Sequence, residues 1–256
     1  MPTQTKRIWD DDGNLLTETS YFVTHNEPDH IGNATRHKHN TDGPAYREWY
    51  PDGSLHFEEW YIKGEQHRVD GPAIYEWYDN GTLDEEVWMV RGEPHRTDGP
   101  AMRGWSDDGT LTSEVWYIKG EFHRVDGPSI HVWYDNGTMK EENWIVSGIV
   151  FHRVDGPSTR EWYDNGTLKK EDWTNIEGAI HRVDGPAMSE WSDDGTLKDE
   201  VWFVGGKQMS KDEFSRMIAR KSLQDKILRS SRLLTLGEEV HILPRDTLSV
   251  IGGFLE

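Results

Sequence analysis

One block of sequence, HxxDGP, opens at His39, His67, His95, His123, His152 and His181, in steps of 28, 28, 28, 29 and 29 residues. Self-similarity at such a period marks a chain built by stacking one supersecondary unit on the next. Two further blocks keep the period. An aromatic followed by an Asp/Asn/Ser-rich turn places Gly13, Gly53, Gly81, Gly109, Gly137, Gly166 and Gly195. A Trp precedes a second Gly by four or five residues, from Trp60 and Gly64 through to Trp202 and Gly206. Six full repeats therefore follow one degenerate copy around Trp9 to Val23.

Each repeat reads as a β-hairpin. Ala73–Tyr78, AIYEWY, is rich in the aromatic and β-branched residues that suit a pleated surface. Asp79-Asn80-Gly81 follows, and Asn-Gly is a strong hairpin signal because both residues tolerate φ > 0. The second strand is expected over Thr82–Val90, ending at Arg91-Gly92, with a long connection, GEPHRTDGP, to the next hairpin. The expected fold is an all-β, elongated, twisted antiparallel ribbon of about seven hairpins and fourteen strands, with a short helix behind it.

The columns within the repeats are informative. Ala45, Ala73, Ala101, Ser129, Ser158 and Ala187 follow the motif Pro. Trp recurs in first strands at 49, 77, 105, 133, 162 and 191. In second strands Glu58, Glu86, Glu114, Glu142, Glu171 and Glu200 each precede a Trp by two, so strand alternation puts Glu and Trp on one face. Twelve Trp, two per full repeat, are expected to stack into ladders.

Trp60–Ala73, WYIKGEQHRVDGPA, resembles the MORN repeat in its order of aromatic, Gly, His and second Gly. The longer HRxDGPA…WYxNGxLxxExW pattern resembles variant repeats of bacteriophage and giant-virus proteins, over about residues 8–206. The resemblance implies a β-hairpin ribbon that binds other proteins or, in some members, lipids, and it implies no reaction. The unit here is longer, at 28 residues, and Arg follows the motif His.

After Gly206 the composition changes. Residues 207–256 carry net charge +2 and no Trp, while residues 1–206 carry −21. Ser210 to Glu213 forms a capping box, predicting a helix from about Lys211. Phe214, Met217 and Ile218 mark one side of it and basic residues, Arg220 and Lys221 among them, the other. The expected domains are 1–206, the acidic repeats, and 207–256, a basic helical cap or tail. A cap over the last hairpin's edge is the leading reading, a recognition helix the alternative.

Composition narrows function. The chain of 256 residues has net charge −19, no Cys and 13 Trp. Such acidity opposes direct nucleic-acid binding. No apolar run is long enough to span a bilayer, and no secretory signal opens the chain, so a cytoplasmic location is expected, that of the host if the protein is phage-encoded. Six copies of HxxD read as a structural motif rather than acid–base pairs, since catalytic sites are singular. His25, His30, His37 and His39 surround an insertion between the first two hairpins, but their spacing matches no familiar zinc motif. No enzyme activity, cofactor or metal is expected.

Binding should then lie where repeats differ. The residue before the motif His turns from Gln66 and Pro94 to Phe122, Phe151 and Ile180, and Ile149 and Val150 enlarge that stretch. Either these form an apolar strip for a partner, or the tail Leu233–Leu255 covers them. The partner-binding candidates are Phe122, Ile149, Val150, Phe151, Ile180, Glu86, Glu114, Glu142, Arg220 and Lys221. The partner is expected to be a protein with a basic surface, such as a host nucleic-acid-binding or defence factor, bound by a monomer or small homo-oligomer acting as inhibitor or decoy. A self-associating scaffold or virion protein is the alternative.

Overall fold

The computed structural model describes residues 3–28, 34–146 and 148–236, and the chain divides into two compact units, Met1–Lys207 and Gln208–Glu256. The first is a β-hairpin meander. A 16-stranded antiparallel sheet keeps sequence order, and its first and last strands are not neighbours, so it stays open. Seven hairpins form its spine; Ala34–Lys38, beside Leu15–Pro28, and Lys207–Met209, beside Leu197–Val204, add the two strands beyond the expected fourteen.

One repeat shows the register. Ile74 faces Val87, Tyr75 faces Glu86, Glu76 faces Glu85, and after a bulge Trp77 faces Leu83. The second strand then passes to the next repeat, pairing Val87 with Met102, Glu86 with Arg103 and Glu85 with Gly104. Side chains alternate between faces, so the Ile74 and Glu76 rows share one face and the Tyr75 and Trp77 rows the other.

Two turn assignments change. At Asp79-Asn80-Gly81 only the glycine is left-handed (Gly81 φ 83°), so this is a three-residue loop ending in a Gly bulge rather than a two-residue Asn-Gly turn. Asn80 contributes its side chain instead: Oδ1 accepts the Thr82 amide at 2.8 Å. The two-residue turn with both φ positive lies at Lys63-Gly64, Arg91-Gly92 and Lys119-Gly120. There it closes a second, small hairpin: Tyr61–Ile62 with Glu65–Gln66, Met89–Val90 with Glu93–Pro94, and Tyr117–Ile118 with Glu121–Phe122. The expected single strand Thr82–Val90 breaks at Trp88, and the long connection contains this hairpin. The second and third small hairpins each bond to the preceding one through the turn glycine: the Gly92 amide donates to the Gln66 carbonyl and the Gly120 amide to the Pro94 carbonyl, each at 2.9 Å.

The core is thin and follows the period. Ala73 and Ala101 are fully buried because their backbones are engaged on both sides: Ala73 N donates to Val87 O, and Ala73 O accepts from Trp60 N, each at 2.8 Å. Ser129 and Ser158 are tolerated there because their hydroxyls reach the Asn143 and Asp172 carbonyls. Val87 and Met89 complete the buried cluster, with Trp60, Ile74 and Met102 against it.

The Trp ladders are interleaved with other planar groups. The Trp60 ring meets Tyr75 edge-on at 5.8 Å, and Tyr75 stacks on Trp77 at 5.4 Å. Trp116, His131 and Trp133 repeat this relay at 5.5 and 5.3 Å. In these two repeats Tyr75 and His131 stand between the neighbouring Trp rings.

The second unit contains the helix Lys211–Leu236. Its start is the predicted capping box: Glu213 N donates to Ser210 Oγ at 3.3 Å, and Ser210 N donates to Glu213 Oε2 at 2.8 Å. Phe214 is buried, Met217 and Ile218 half-buried, and Arg220 and Lys221 exposed.

Candidate interaction surface

The repeated motif resolves into architecture. In each of five repeats the Arg after the motif His lies over that repeat's second Trp: Arg68 on Trp60, Arg96 on Trp88, Arg124 on Trp116, Arg153 on Trp144 and Arg182 on Trp173, at 3.9–4.3 Å. The motif Asp accepts from that Arg: Arg68 Nε donates to Asp70 at 3.0 Å, and Arg68 Nη1 to the Pro72 carbonyl at 3.2 Å. The guanidinium hydrogen bond comes first among the causes holding the Asp70 carboxyl below its ordinary range. In the first repeat Asn40 replaces Arg and still donates to the Pro44 carbonyl at 3.0 Å.

The motif His links repeats. Nδ1 of His39, His67 and His95 accepts the amide of Lys63, Arg91 and Lys119, at 3.1–3.2 Å. Those donors are the left-handed first residues of the next small turns. An Nδ1 that accepts an amide carries no proton, so these imidazoles are protonated at Nε2. At His152 the partner is the Thr174 carbonyl at 3.0 Å, and Nδ1 is there the donor.

The Glu column is committed to its own sheet. Arg103 binds Glu86 and Glu114, each at 3.1 Å, and Arg160 binds Glu142 at 3.1 Å and Glu171 at 2.8 Å. Glu86, Glu114 and Glu142 keep 15–19% of their side-chain surface. Their charge is largely spent on bridging repeats, which leaves little for a partner.

The free acidity lies at the turn edge. Asp79, Asp107, Asp135, Asp164 and Asp193 open successive hairpin turns and are all exposed. Among the described residues none of these five carboxylates has a hydrogen-bond or ion-pair partner, whereas the following residue caps the turn. The turns are tied together: Asn80, Asn136 and Asn165 donate Nδ2 to the carbonyls of Asp107, Asp164 and Asp193 at 2.8–2.9 Å. Tyr50, Tyr78, Tyr134 and Tyr163 add a hydroxyl bond to the next repeat's Trp carbonyl at 2.8–2.9 Å. The Tyr78 hydroxyl is pushed up to about 12, first by the neighbouring Asp84 carboxylate, then by burial and the charges of Asp107 and Asp135.

The varying column before the motif His lines the small hairpins. Phe122 is half-buried on Tyr117, ring centroids 4.5 Å apart, while Ile149 is 82% and Phe151 40% exposed. Val150 and Ile180 are half-buried. The column begins earlier than expected, at Lys38, whose ammonium binds Glu59 at 2.7 Å. Ile149 and Phe151 thus present apolar surface, and the tail expected to cover them lies mostly outside the described residues. His37 stacks on Phe22 at 5.0 Å and His39 meets it edge-on at 5.5 Å; His30 and the side chain of His25 lie outside what is described. Among the described residues no three ligating side chains converge, and no helix is long and apolar enough to cross a membrane. Against models of known protein families the chain finds no match, and no curated protein matches it.

Proposed function

We propose that the repeat unit is a non-catalytic protein-binding ribbon that docks its acidic turn edge on a basic surface of another protein. The observation that carries this reading is the row of five unpartnered carboxylates, Asp79 to Asp193. Successive turns are two strands apart, so the carboxylates recur at about 9.5 Å. Side-chain bonds join the Asp79 turn to the Asp107 turn, and the Asp135, Asp164 and Asp193 turns to one another, without help from the partner, which lowers the ordering cost of binding. Net charge −21 over residues 1–206 steers a cationic partner to that edge. The likeness to phage and giant-virus repeats supports an inhibitor or decoy of a host nucleic-acid-binding or defence factor as the biological form.

The test is titration with an oligolysine peptide across a salt series. Asp79→Asn, Asp107→Asn and Asp135→Asn combined should weaken binding at least tenfold and flatten its salt dependence. Equal affinity in the triple variant, with an unchanged melt, overturns the reading.

A further inference from the structure

The charged row is interrupted at the first strand of the sheet. Inside the sheet Arg47, Arg103 and Arg160 each bridge two glutamates, one on either neighbouring strand, and keep 30–35% of their side-chain surface. Arg7, on the strand Gln4–Trp9, binds Glu18 at 2.6 Å and keeps 53%. Among the described residues it has no second carboxylate. Its exposed neighbour Lys6 faces the uncharged Thr19 and, among the described residues, has no ion-pair partner.

The backbone of this strand is open on the same side. Ser20 N donates to the Ala45 carbonyl at 2.7 Å and Ser20 O accepts from His39 N at 2.9 Å, so the polar groups of Ser20 turn toward the strands that follow. Backbone groups alternate along a strand, so those of Glu18 turn the same way and meet Arg47. Thr5 and Arg7 stand opposite Ser20 and Glu18, and residues opposite in an antiparallel pair direct their groups either both inward or both away. The N–H and C=O groups of Thr5 and Arg7 therefore point to the side where no strand pairs. All six side chains of Gln4–Trp9 are exposed there, including Ile8 and Trp9.

We propose that this edge takes an extended acidic segment of another protein as an added antiparallel strand. The interior junctions fix the register: Glu86 faces Arg103, with Glu85 opposite Gly104 and Val87 opposite Met102. Carried to the edge, that register sets a glutamate of the partner opposite Arg7, the residue before it opposite Ile8 and the residue after it opposite Lys6. The segment that satisfies all three reads apolar–Glu–Glu. Its main chain bonds to Thr5 and Arg7, and its side chains supply the selectivity. A second copy offering its own Gln4–Trp9 is disfavoured, because Lys6 and Arg7 of each strand would stand against the same cations of the other. The acidity elsewhere on the chain does not forbid the contact, since exposed charges more than about 8 Å away are largely screened at physiological salt. This inference is independent of the turn-edge reading: Asp79, Asp107 and Asp135 take no part in it, and the partner carries the opposite charge.

The probe is a fluorescent peptide of the chain's own residues 54–61, which carries Phe57-Glu58-Glu59 in the required order, titrated against the full chain. Glu58→Lys in the peptide should weaken binding about tenfold, the scale of a charge-assisted hydrogen bond. Arg7→Glu in the protein should restore the variant peptide and weaken the original. Thr5→Pro removes an amide that faces outward, where edge strands tolerate proline, so the melt should hold while affinity falls about tenfold. Equal affinity for the two peptides, or full affinity in Thr5→Pro, overturns the proposal. So does a dimer of the free chain in sedimentation that Thr5→Pro abolishes, since a second copy would then be the occupant.

Discussion

The repeat at residues 38–66 and the one after it share a backbone and differ in what they enclose. Ile74, Val87 and Met89 occupy the inner row in one; Tyr46, Glu59 and Tyr61 stand at the same register positions in the other. In the first the interior is a small apolar cluster. In the second Glu59 is buried and accepts from Lys38 and Gln66 at 2.7 Å and Tyr61 at 3.0 Å, with the Lys38 ammonium over the Tyr46 and Tyr61 rings. Burial, ahead of the glutamate charges, pushes both tyrosine hydroxyls up to about 12. The difference teaches that this fold is specified by turns, buried Ala/Ser and inter-repeat bonds, while the interior row accepts any set that satisfies itself.

The largest effect should come from the apolar repeat. Met89→Ala removes a buried side chain and should cost about 2–5 kcal/mol in denaturant melts. A cost below about 1 kcal/mol would show that the apolar cluster is not what holds that repeat together.

The polar repeat should break differently. Lys38→Met leaves Glu59 without its cation and should cost about 2–3 kcal/mol, less than a fully buried pair because Lys38 is one-third exposed. Adding Glu59→Val, the residue found at position 87, should recover most of that loss. If the double variant is no better than the single, the two interiors are not interchangeable.

A third comparison sets Tyr75 against His131, which fill the same gap between Trp rings. Burial, ahead of Arg124, lowers the His131 pKa. A folded state that resists protonation loses stability as pH falls below the unfolded imidazole value, about 6.5. His131→Tyr should therefore show a smaller drop in melting temperature between pH 7.5 and 5 than the wild type; an equal drop would refute the assignment.

The smallest effect concerns Glu85, which faces Glu76 across the hairpin. Burial first, then Glu76 and Asp84, raises its pKa, so the folded state holds this proton more tightly than the unfolded state. That contribution is full at low pH and is lost as pH rises through the raised value. Glu85→Gln should gain up to about 1 kcal/mol at pH 7, the scale of a like-charge cross-strand pair. The gain should vanish near pH 4, and one that persists there would have another cause.

Period, hairpins, buried Ala/Ser column and capping box are all legible in the sequence, because each depends on residues close together in the chain. The small hairpins are harder to read because their left-handed first positions carry Lys63, Arg91 and Lys119, residues that rarely adopt that conformation. The Arg after the motif His is visible as a column, but its role needs the Trp eight or nine residues earlier to lie beneath it. The Glu column illustrates the limit for the candidate surface. Spacing puts Glu86, Glu114 and Glu142 on one face, but only cross-strand register shows that Arg103 and Arg160 neutralise them and that free charge lies on Asp79 and its equivalents.

The stacked turns also bear on chemical ageing. Asn80-Gly81, Asn136-Gly137 and Asn165-Gly166 are the sequences in which an amide nitrogen can attack the preceding side chain and release ammonia. Here that nitrogen is occupied, since Gly81 N, Gly137 N and Gly166 N donate to the Tyr78, Tyr134 and Tyr163 carbonyls at 2.8–2.9 Å. The Asn amide is held as well, by the next turn's carbonyl. The bonds that align the repeats therefore also slow deamidation. A turn that did convert to aspartate would keep its cap, as Asp108 and Asp194 do, but would lose its donor to the neighbouring repeat.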